Sequence, residues 1–310
     1  MKHFADRLVA AMKEKNSVVC VGIDPVLQRI PAPIIQKAQD NHGPTLTAAV
    51  EAVANFGKGI IDAVADLVPA IKPQMAYYEQ LGSQGMWAFE ETCRYAQEKG
   101  LIVIADGKRG DIGSTAKAYS AAYLGETDVF GKKESINAID AITVNPYMGL
   151  DTIKPFLDDC GEFGKGLFIL AKTSNDSSGD VQDRIVDESN MPLYEMVSHL
   201  VEVWGSQEVG ESGYSYVGAV VGATYPDELR KLREVMPSSI FLVPGYGAQG
   251  GSAKDVAAAF GEDGFGALIN SSRAINYAYE ESSHGAEGYE KAAREAVEKM
   301  NEKLNAVRTR

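Results

Sequence analysis

The sequence predicts a single-domain (β/α)₈ barrel, and three observations support this fold. Eight short apolar runs recur along the 310 residues, and a segment long enough for a helix follows each run. Most runs are continuously apolar rather than alternating, as expected for strands of a parallel sheet that is covered on both faces. Nearly every run ends in a polar or turn-forming residue, which is typical of the active-site end of an α/β barrel.

The predicted strands are spread over the whole chain. They cover residues 18–24, 68–72, 101–106, 138–145, 166–172, 217–222, 240–244 and 267–271. Helical periodicity between them predicts helices over 46–67, 85–99, 151–158, 192–203, 227–235 and 252–260, with a closing helix over 287–304. Two stretches, 125–137 and 174–190, are expected to be surface insertions within one domain that spans 1–310.

An open, doubly wound sheet is the alternative fold. Such sheets carry a Gly-rich dinucleotide-binding turn after their first strand. Here Gly22-Ile23-Asp24-Pro25 stands at that place, so the barrel is favoured.

The composition restricts the classes of partner. The formal net charge is −13, and so acidic a surface repels the phosphates of nucleic acids and anionic lipids. The sequence contains no apolar stretch of the roughly 20 residues needed to span a bilayer, and residues 1–7 lead into an amphipathic helix rather than an apolar signal region. The three cysteines and four histidines are scattered, which argues against a His-ligated metal and against a Ser-His triad. We therefore expect a cytoplasmic protein.

The predicted strand ends supply the candidate site. Their polar or turn-forming residues are Asp24, Lys72, Asp106, Asn145, Lys172, Thr224, Pro244-Gly245 and Asn270-Ser271. For Asn145 or Thr224 alone, an ordinary strand end explains the residue equally well. Full charges at four buried strand ends need a further explanation, because an unpaired charge near a core is costly.

The third strand delivers the main candidate motif, Asp106-Gly-Lys108-Arg-Gly-Asp111. Residues two apart on an extended chain point the same way, so Asp106 and Lys108 can both face the barrel mouth. Lys72, at the end of the second strand, can reach the same region. We take Lys72, Asp106, Lys108 and Asp111 as a catalytic array in which alternating charges keep each group ionised. A structural ion-pair network at the barrel rim is the alternative.

A second motif predicts a phosphate site. The Gly-rich stretch 243–251 follows the seventh strand, and Asn270-Ser271-Ser272-Arg273 follows the eighth. Barrels frequently bind phosphate with backbone N–H groups of these two loops. Arg273 can add a bidentate, charged contact.

Taken together, the motifs resemble one known family, that of orotidine 5′-monophosphate decarboxylase in its longer bacterial-type branch. The resemblance covers nearly the whole chain. It rests on Val21-Gly22-Ile23-Asp24-Pro25, Ile71-Lys72-Pro73, Asp106-Gly107-Lys108-Arg109-Gly110-Asp111-Ile112, Val144-Asn145-Pro146-Tyr147, Lys172-Thr173-Ser174, Pro244-Gly245-Tyr246-Gly247-Ala248-Gln249-Gly250-Gly251 and Ser272-Arg273.

The resemblance implies a decarboxylation at C6 of the orotate ring that yields uridine 5′-monophosphate without a metal or organic cofactor. It implies that Lys108 donates the proton to C6 and that Asp106 lies near the departing carboxylate. The remaining implied contacts are Asp24 and Lys72 to the ribose, Ser174 and Gln249 to the pyrimidine, and Gly250 and Arg273 to the phosphate. Asp111 and Thr115 resemble residues that the family lends to the neighbouring subunit, which implies a homodimer.

Two other functions stay open from the sequence. The first is a metal-dependent lyase or decarboxylase that acts on a keto-sugar phosphate on a related barrel. The second is a non-catalytic nucleotide-binding barrel with a decayed site. The intact charged array and Gln249 favour the pyrimidine enzyme over both.

Overall fold

Eight parallel strands form a closed barrel in the computed structural model, which describes residues 2–187, 190–223, 226–247 and 251–308. The strands are β1 (Val19–Ile23), β2 (Ala70–Pro73), β3 (Ile102–Arg109), β4 (Ala141–Val144), β5 (Gly166–Lys172), β6 (Ser215–Val221), β7 (Ser239–Val243) and β8 (Ala267–Ser271). Each strand pairs with its sequence neighbours, and β1 closes the ring by pairing with β8, with Val19 opposite Ile269. The predicted barrel is confirmed.

Helices surround the barrel. Within the described ranges they are α1 (Phe4–Lys15), α2 (Ala32–His42), α3 (Leu46–Val64), α4 (Ala76–Glu79), α5 (Gly82–Glu98), α6 (Gly113–Tyr123), α7 (Leu150–Phe163), α8 (Gly179–Gln182), α9 (Leu193–Gly205), α10 (Pro226–Val235), α11 (Arg273–Asn276) and α12 (Tyr289–Arg308). None of the described helices is both long and apolar enough to cross a membrane.

The predicted helix over 252–260 is wrong. The segment forms turns and one short 3₁₀ helix, Ala257–Ala259. The Ser252 hydroxyl and backbone N–H both donate to Asp255, at 2.6 and 2.8 Å, and the hydrogen bonds that follow mostly join residues three apart. A short apolar pattern does not distinguish such turns from an α-helix.

The two stretches expected to be insertions contain small antiparallel hairpins. Residues 125–137 include a hairpin of Thr127–Val129 and Lys132–Glu134. Residues 174–190 include a 3₁₀ turn, the single-turn helix α8 and one strand of a second hairpin, which pairs Ile185–Val186 with Met191–Pro192. Both lie outside the barrel sheet.

Helix α1 covers the amino-terminal end of the barrel. Phe4 lies against Gly166 at the start of β5, where an added Cβ would come within 2.3 Å of the Phe4 ring. Arg7 donates to Asp140, just before β4, at 2.8 Å. Since this end is closed by packing and ion pairing, the opposite end of the barrel is the one left to hold a ligand.

Candidate active site

A cavity of about 360 Å³ lies at the carboxyl ends of the strands. Five predicted site residues line it, and they come from widely separated parts of the chain. They are Asp24, Lys72, Asp106, Ser174 and Arg273. Larger cavities occur between α2 and α3 and beside α7, but their walls contain none of the residues predicted for the site.

The carboxylate of Asp106 lies between two lysines. Lys72 Nζ is 2.7 Å from Asp106 Oδ2, and Lys108 Nζ is 2.5 Å from Asp106 Oδ1. The side chains of Lys72 and Asp106 are only 5% and 9% exposed, whereas that of Lys108 is 45% exposed. Of the two ammonium groups, the one on Lys108 is therefore the more accessible to a ligand.

These contacts set the charges of the array. Burial raises the pKa of Asp106, but the two lysines outweigh it, so the pKa lies well below its usual range. Burial lowers the pKa of Lys72, but Asp106 and then Asp24 outweigh it, so this pKa is raised. Both groups are consequently ionised at neutral pH.

Asp24 is the second acid of the cavity. Burial raises its pKa, an effect that nearby Lys72 opposes. In the described part of the chain, its buried Oδ1 has no hydrogen-bond partner. A buried polar atom without a partner is uncommon in folded proteins, which marks Asp24 as a candidate for contact with a ligand.

Lys108 has an unusual backbone, with a φ of +46°. A lysine rarely adopts this left-handed conformation, so neighbouring groups must hold it. The backbone N–H of Lys108 donates to Thr143 Oγ1 at 2.9 Å, and the same hydroxyl donates to Asp106 Oδ1 at 3.1 Å. Thr143, on β4, thereby ties the lysine to its acidic partner.

Sequence reasoning missed both Thr143 and Gln74. Gln74 Nε2 donates to Asp106 Oδ2 at 2.9 Å. Each lies two residues from a strand-end residue that was singled out, Gln74 from Lys72 and Thr143 from Asn145. The two-residue period of extended chains was therefore a signal that could have identified them.

Close packing of β1 against the segment after β8 places Asp24 and Arg273. An added Cβ on Gly22 would lie 1.9 Å from Ser272 Oγ, so only glycine allows this approach. Asn276 Nδ2 donates to Gly22 O at 2.7 Å, and the Asp24 backbone N–H donates to Asn276 Oδ1 at 3.1 Å. The segments that follow the first and the last strand of the barrel thus form one wall of the cavity.

Arg273 supplies an accessible cation on that wall. It is exposed and begins α11. Within residues 2–187, 190–223, 226–247 and 251–308, no hydrogen bond or ion pair engages its guanidinium. Its predicted neighbours Gln249 and Gly250 lie outside the described residues, as does Thr224.

Asp111 and Thr115 do not line the cavity of their own chain. Asp111 is half-buried after β3, and its Oδ1 accepts the backbone N–H of Ile112 at 2.8 Å. Thr115 is exposed on α6, and the Ile112 side chain is 60% exposed. Lys108 is not among the lining residues either, but its ammonium pairs with Asp106, which does line the cavity.

The described residues contain no group of three or more His, Cys, Asp or Glu side chains arranged to hold a metal ion.

Comparisons with known proteins agree on one family. The family model described as "Orotidine 5′-phosphate decarboxylase / HUMPS family" matches residues 19–287. The orotidine 5′-phosphate decarboxylase of Caldicellulosiruptor bescii is 45% identical over 307 residues, which is 99% of each chain. That of Rhodopirellula baltica is 46% identical over 308 residues, which is 98% of this chain and 99% of the relative.

Solved structures extend the similarity to the fold. The OMP decarboxylase of Leishmania donovani matches with a TM-score of 0.74 and 31% identity, over 99% of each chain. The UMP synthase of the same organism matches with a TM-score of 0.75 and 33% identity, over 99% of this chain and 57% of that one.

Proposed function

Since this chain belongs to the orotidine 5′-phosphate decarboxylase family, we propose that the cavity at the carboxyl ends of its strands is where orotidine 5′-monophosphate loses its carboxylate. The chain is a carboxy-lyase that forms uridine 5′-monophosphate and CO₂ in pyrimidine biosynthesis. One observation carries the assignment of the site: the buried Asp106 carboxylate held between Lys72 and Lys108.

Lys108 is the proposed proton donor. When the bond between C6 and the carboxylate breaks, the electron pair stays on C6 and CO₂ leaves. The Lys108 ammonium stabilises this negative charge and then transfers a proton from Nζ to C6. A positive charge that is already in place where negative charge develops is usually the largest catalytic effect. The pairing of Lys108 with Asp106 at 2.5 Å supports a fixed ammonium.

Asp106 is the proposed electrostatic partner. The buried carboxylate is fixed by Lys72, Gln74 and Thr143 as well as by Lys108. This network holds a negative charge beside the space for the substrate carboxylate and orients the ammonium of Lys108. Fixing both groups before the substrate arrives removes the need to reorganise them during the reaction.

The remaining cavity residues are assigned to the substrate. Asp24 and Lys72 contact the ribose hydroxyls, Ser174 and Gln249 contact the pyrimidine, and Arg273 with Gly250 binds the phosphate. The accessible guanidinium of Arg273 and the unpartnered Oδ1 of Asp24 support these roles. Binding energy from the distant phosphate can then raise the rate of the chemical step.

We further propose a homodimer in which Asp111 and Thr115 complete the site of the partner. Exposed apolar side chains lie next to Asp111 in sequence and on the loop after β4: Ile112 is 60% exposed, Tyr147 85% and Met148 43%. An added Cβ on Gly110 would lie 3.7 Å from Met148 Cε, so the loops after β3 and β4 form one surface. A second copy of the chain would cover this surface.

Mixing two inactive variants tests the dimer. In the proposed dimer, each site takes Lys72 from one chain and Asp111 from the other. A heterodimer of Lys72→Ala with Asp111→Asn therefore contains one site with both changes and one site with neither. We expect mixed, exchanged subunits to recover up to about one quarter of wild-type activity per total site, whereas neither variant is active alone. Absence of recovery after exchange has been verified by mass spectrometry would contradict a shared site.

A direct assay tests the catalytic assignment. The ultraviolet absorbance of orotidine 5′-monophosphate should fall with the wild-type chain and remain unchanged with Lys108→Ala, which should still bind uridine 5′-monophosphate. Lys154→Ala is a matched control, because Lys154 is exposed on α7 and, among the residues that the structure describes, pairs with Asp158. Substantial turnover by Lys108→Ala would reassign the proton donor.

The keto-sugar-phosphate lyase is not favoured. Relatives that are 45% and 46% identical over almost the whole chain are orotidine 5′-phosphate decarboxylases.

A further inference from the structure

Ser174 reaches the cavity from a loop, not from a strand. It lies two residues beyond the end of β5 at Lys172. On one side it packs on the end of β6, where an added Cβ on Gly222 would come within 2.9 Å of Ser174 Cβ. The backbone N–H of Gly222 donates to Lys172 O at 2.8 Å. These contacts fix the inner side of the loop, so its outer side needs separate support.

That support comes from Gln182, at the end of α8. Its Oε1 accepts the backbone N–H of Thr173 at 2.9 Å, and its Nε2 donates to Thr173 Oγ1 at 2.6 Å. The Thr173 hydroxyl in turn donates to Asn175 Oδ1 at 2.7 Å. Both residues that flank Ser174 are thus held by one chain of hydrogen bonds that begins at Gln182. Two bonds from one planar amide fix orientation as well as distance.

The next residue, Asp183, strengthens the arrangement. Asp183 forms an ion pair with Lys172, whose side chain is 1% exposed. The Lys172 ammonium also lies 4.9 Å from the centre of the Tyr194 ring. A buried ammonium is costly without such partners. The ion pair therefore keeps the end of α8 against the end of β5, where Gln182 can reach Thr173.

We infer that Gln182 is a positioning residue for pyrimidine binding, which acts by holding Ser174 toward the cavity. This inference rests on the proposed contact between Ser174 and the pyrimidine. It gives residues 174–183 a specific role, because the turn of α8 then supports the loop that contacts the base. Gln182 itself does not line the cavity.

Steady-state kinetics of Gln182→Leu test the inference. This change removes both hydrogen bonds to Thr173 and keeps the approximate size of the side chain. We expect KM for orotidine 5′-monophosphate to rise about fivefold, as when one hydrogen bond to a ligand is weakened, while kcat changes less than about twofold. Asp180→Asn is the matched control on the same turn, because Asp180 is exposed and its side chain takes no part in this network. It should keep the wild-type KM.

A double-mutant cycle separates positioning from a general structural effect. If Gln182 acts through Ser174, adding Gln182→Leu to Ser174→Ala should change KM by less than about twofold. The inference would be overturned if the fold-increase in KM of the double variant equalled the product of the two single increases. A wild-type KM for Gln182→Leu would also overturn it. A wild-type KM for Ser174→Ala would instead show that the proposed pyrimidine contact fails.

Thr173→Val provides a second variant if Gln182→Leu does not fold, as judged by thermal melting. It removes the hydroxyl that accepts from Gln182 but keeps the backbone N–H. We expect a smaller rise in KM that likewise disappears in the Ser174→Ala background. An unchanged KM, or a loss that persists in that background, would contradict the inference.

Discussion

Thr143 accepts the backbone N–H of Lys108 at 2.9 Å and so holds the proposed proton donor in its left-handed conformation. The same hydroxyl donates to Asp106, the carboxylate that pairs with the Lys108 ammonium. One buried hydroxyl therefore fixes both the backbone and the ion pair of the lysine. A residue of β4 thus positions the two charged residues that lie on β3.

Thr143→Val should lower kcat by about tenfold or more. Valine keeps the shape of threonine but leaves the Lys108 N–H without its acceptor and Asp106 without one donor. Loss of a hydrogen bond to a charged group costs about 1.5–3 kcal/mol, and 1.4 kcal/mol corresponds to a factor of about ten in rate. The measurement is kcat with saturating orotidine 5′-monophosphate.

Thr92→Val controls for the loss of a buried threonine hydroxyl. Thr92 donates to Ala88 O within α5, away from the cavity. Both variants should lose stability in denaturant titrations, but only Thr143→Val should lose activity. Equal kcat values for the two variants would show that Thr143 has no role in positioning Lys108.

Arg273→Ala should lower kcat/KM by at least about 100-fold without unfolding the chain. The exposed guanidinium supplies up to two charged hydrogen bonds to a phosphate, each worth about 1.5–3 kcal/mol. Its removal costs little stability, because no described residue pairs with it. Arg230→Ala, a change on the exposed face of α10, should leave kcat/KM unchanged. Near-normal turnover by Arg273→Ala would exclude the proposed phosphate contact.

The Asp106 ion pairs should make folding sensitive to acid. The pKa of this carboxyl is lower in the folded chain than in the unfolded one, where it is about 3.9. Its contribution to stability is therefore present above about pH 4 and is lost as the pH falls further. Between about pH 5 and pH 2, the free energy of unfolding should fall more steeply for the wild type than for Asp106→Asn. Urea titrations across this range measure both slopes, and parallel curves would contradict the shift.

Activity should survive removal of divalent metals. In the proposed mechanism the positive charge at C6 comes from Lys108, which a chelator does not affect. Wild-type chain dialysed against EDTA should retain its kcat, and added Mg²⁺ should not increase it. Loss of activity that Mg²⁺ restores would contradict the proposed mechanism, in which Lys108 supplies the positive charge.

The strands and their charged ends were predictable because buried parallel strands have a simple pattern, an apolar run followed by a polar residue. This pattern predicted that Lys72 and Asp106 lie close together, and the structure places Lys72 Nζ 2.7 Å from Asp106 Oδ2. The prediction failed for 252–260, where local side-chain bonds of Ser252 to Asp255 favour turns. The spacing of apolar residues contains no information about such side-chain hydrogen bonds.

Supporting residues were harder to predict than charged ones. Gln182 contacts Thr173, nine positions earlier, across a 3₁₀ turn and the single turn of α8. No single periodicity relates two positions on such a segment. Thr143 is a hydroxyl inside an apolar strand, a place where threonine commonly occurs for its shape alone. Their roles follow only from the distances that the folded chain creates.

Because the first strand pairs with the last, the cavity can be completed only after the ribosome has made almost the whole barrel. Asp24 follows β1 and Arg273 follows β8, so the two are made on the order of 10 to 50 s apart at about 5–20 residues per second. Until β8 emerges, β1 and β7 each have an unpaired edge that is open to aggregation. Nucleotide binding can therefore stabilise the fold only after the segment that carries Arg273 has been made.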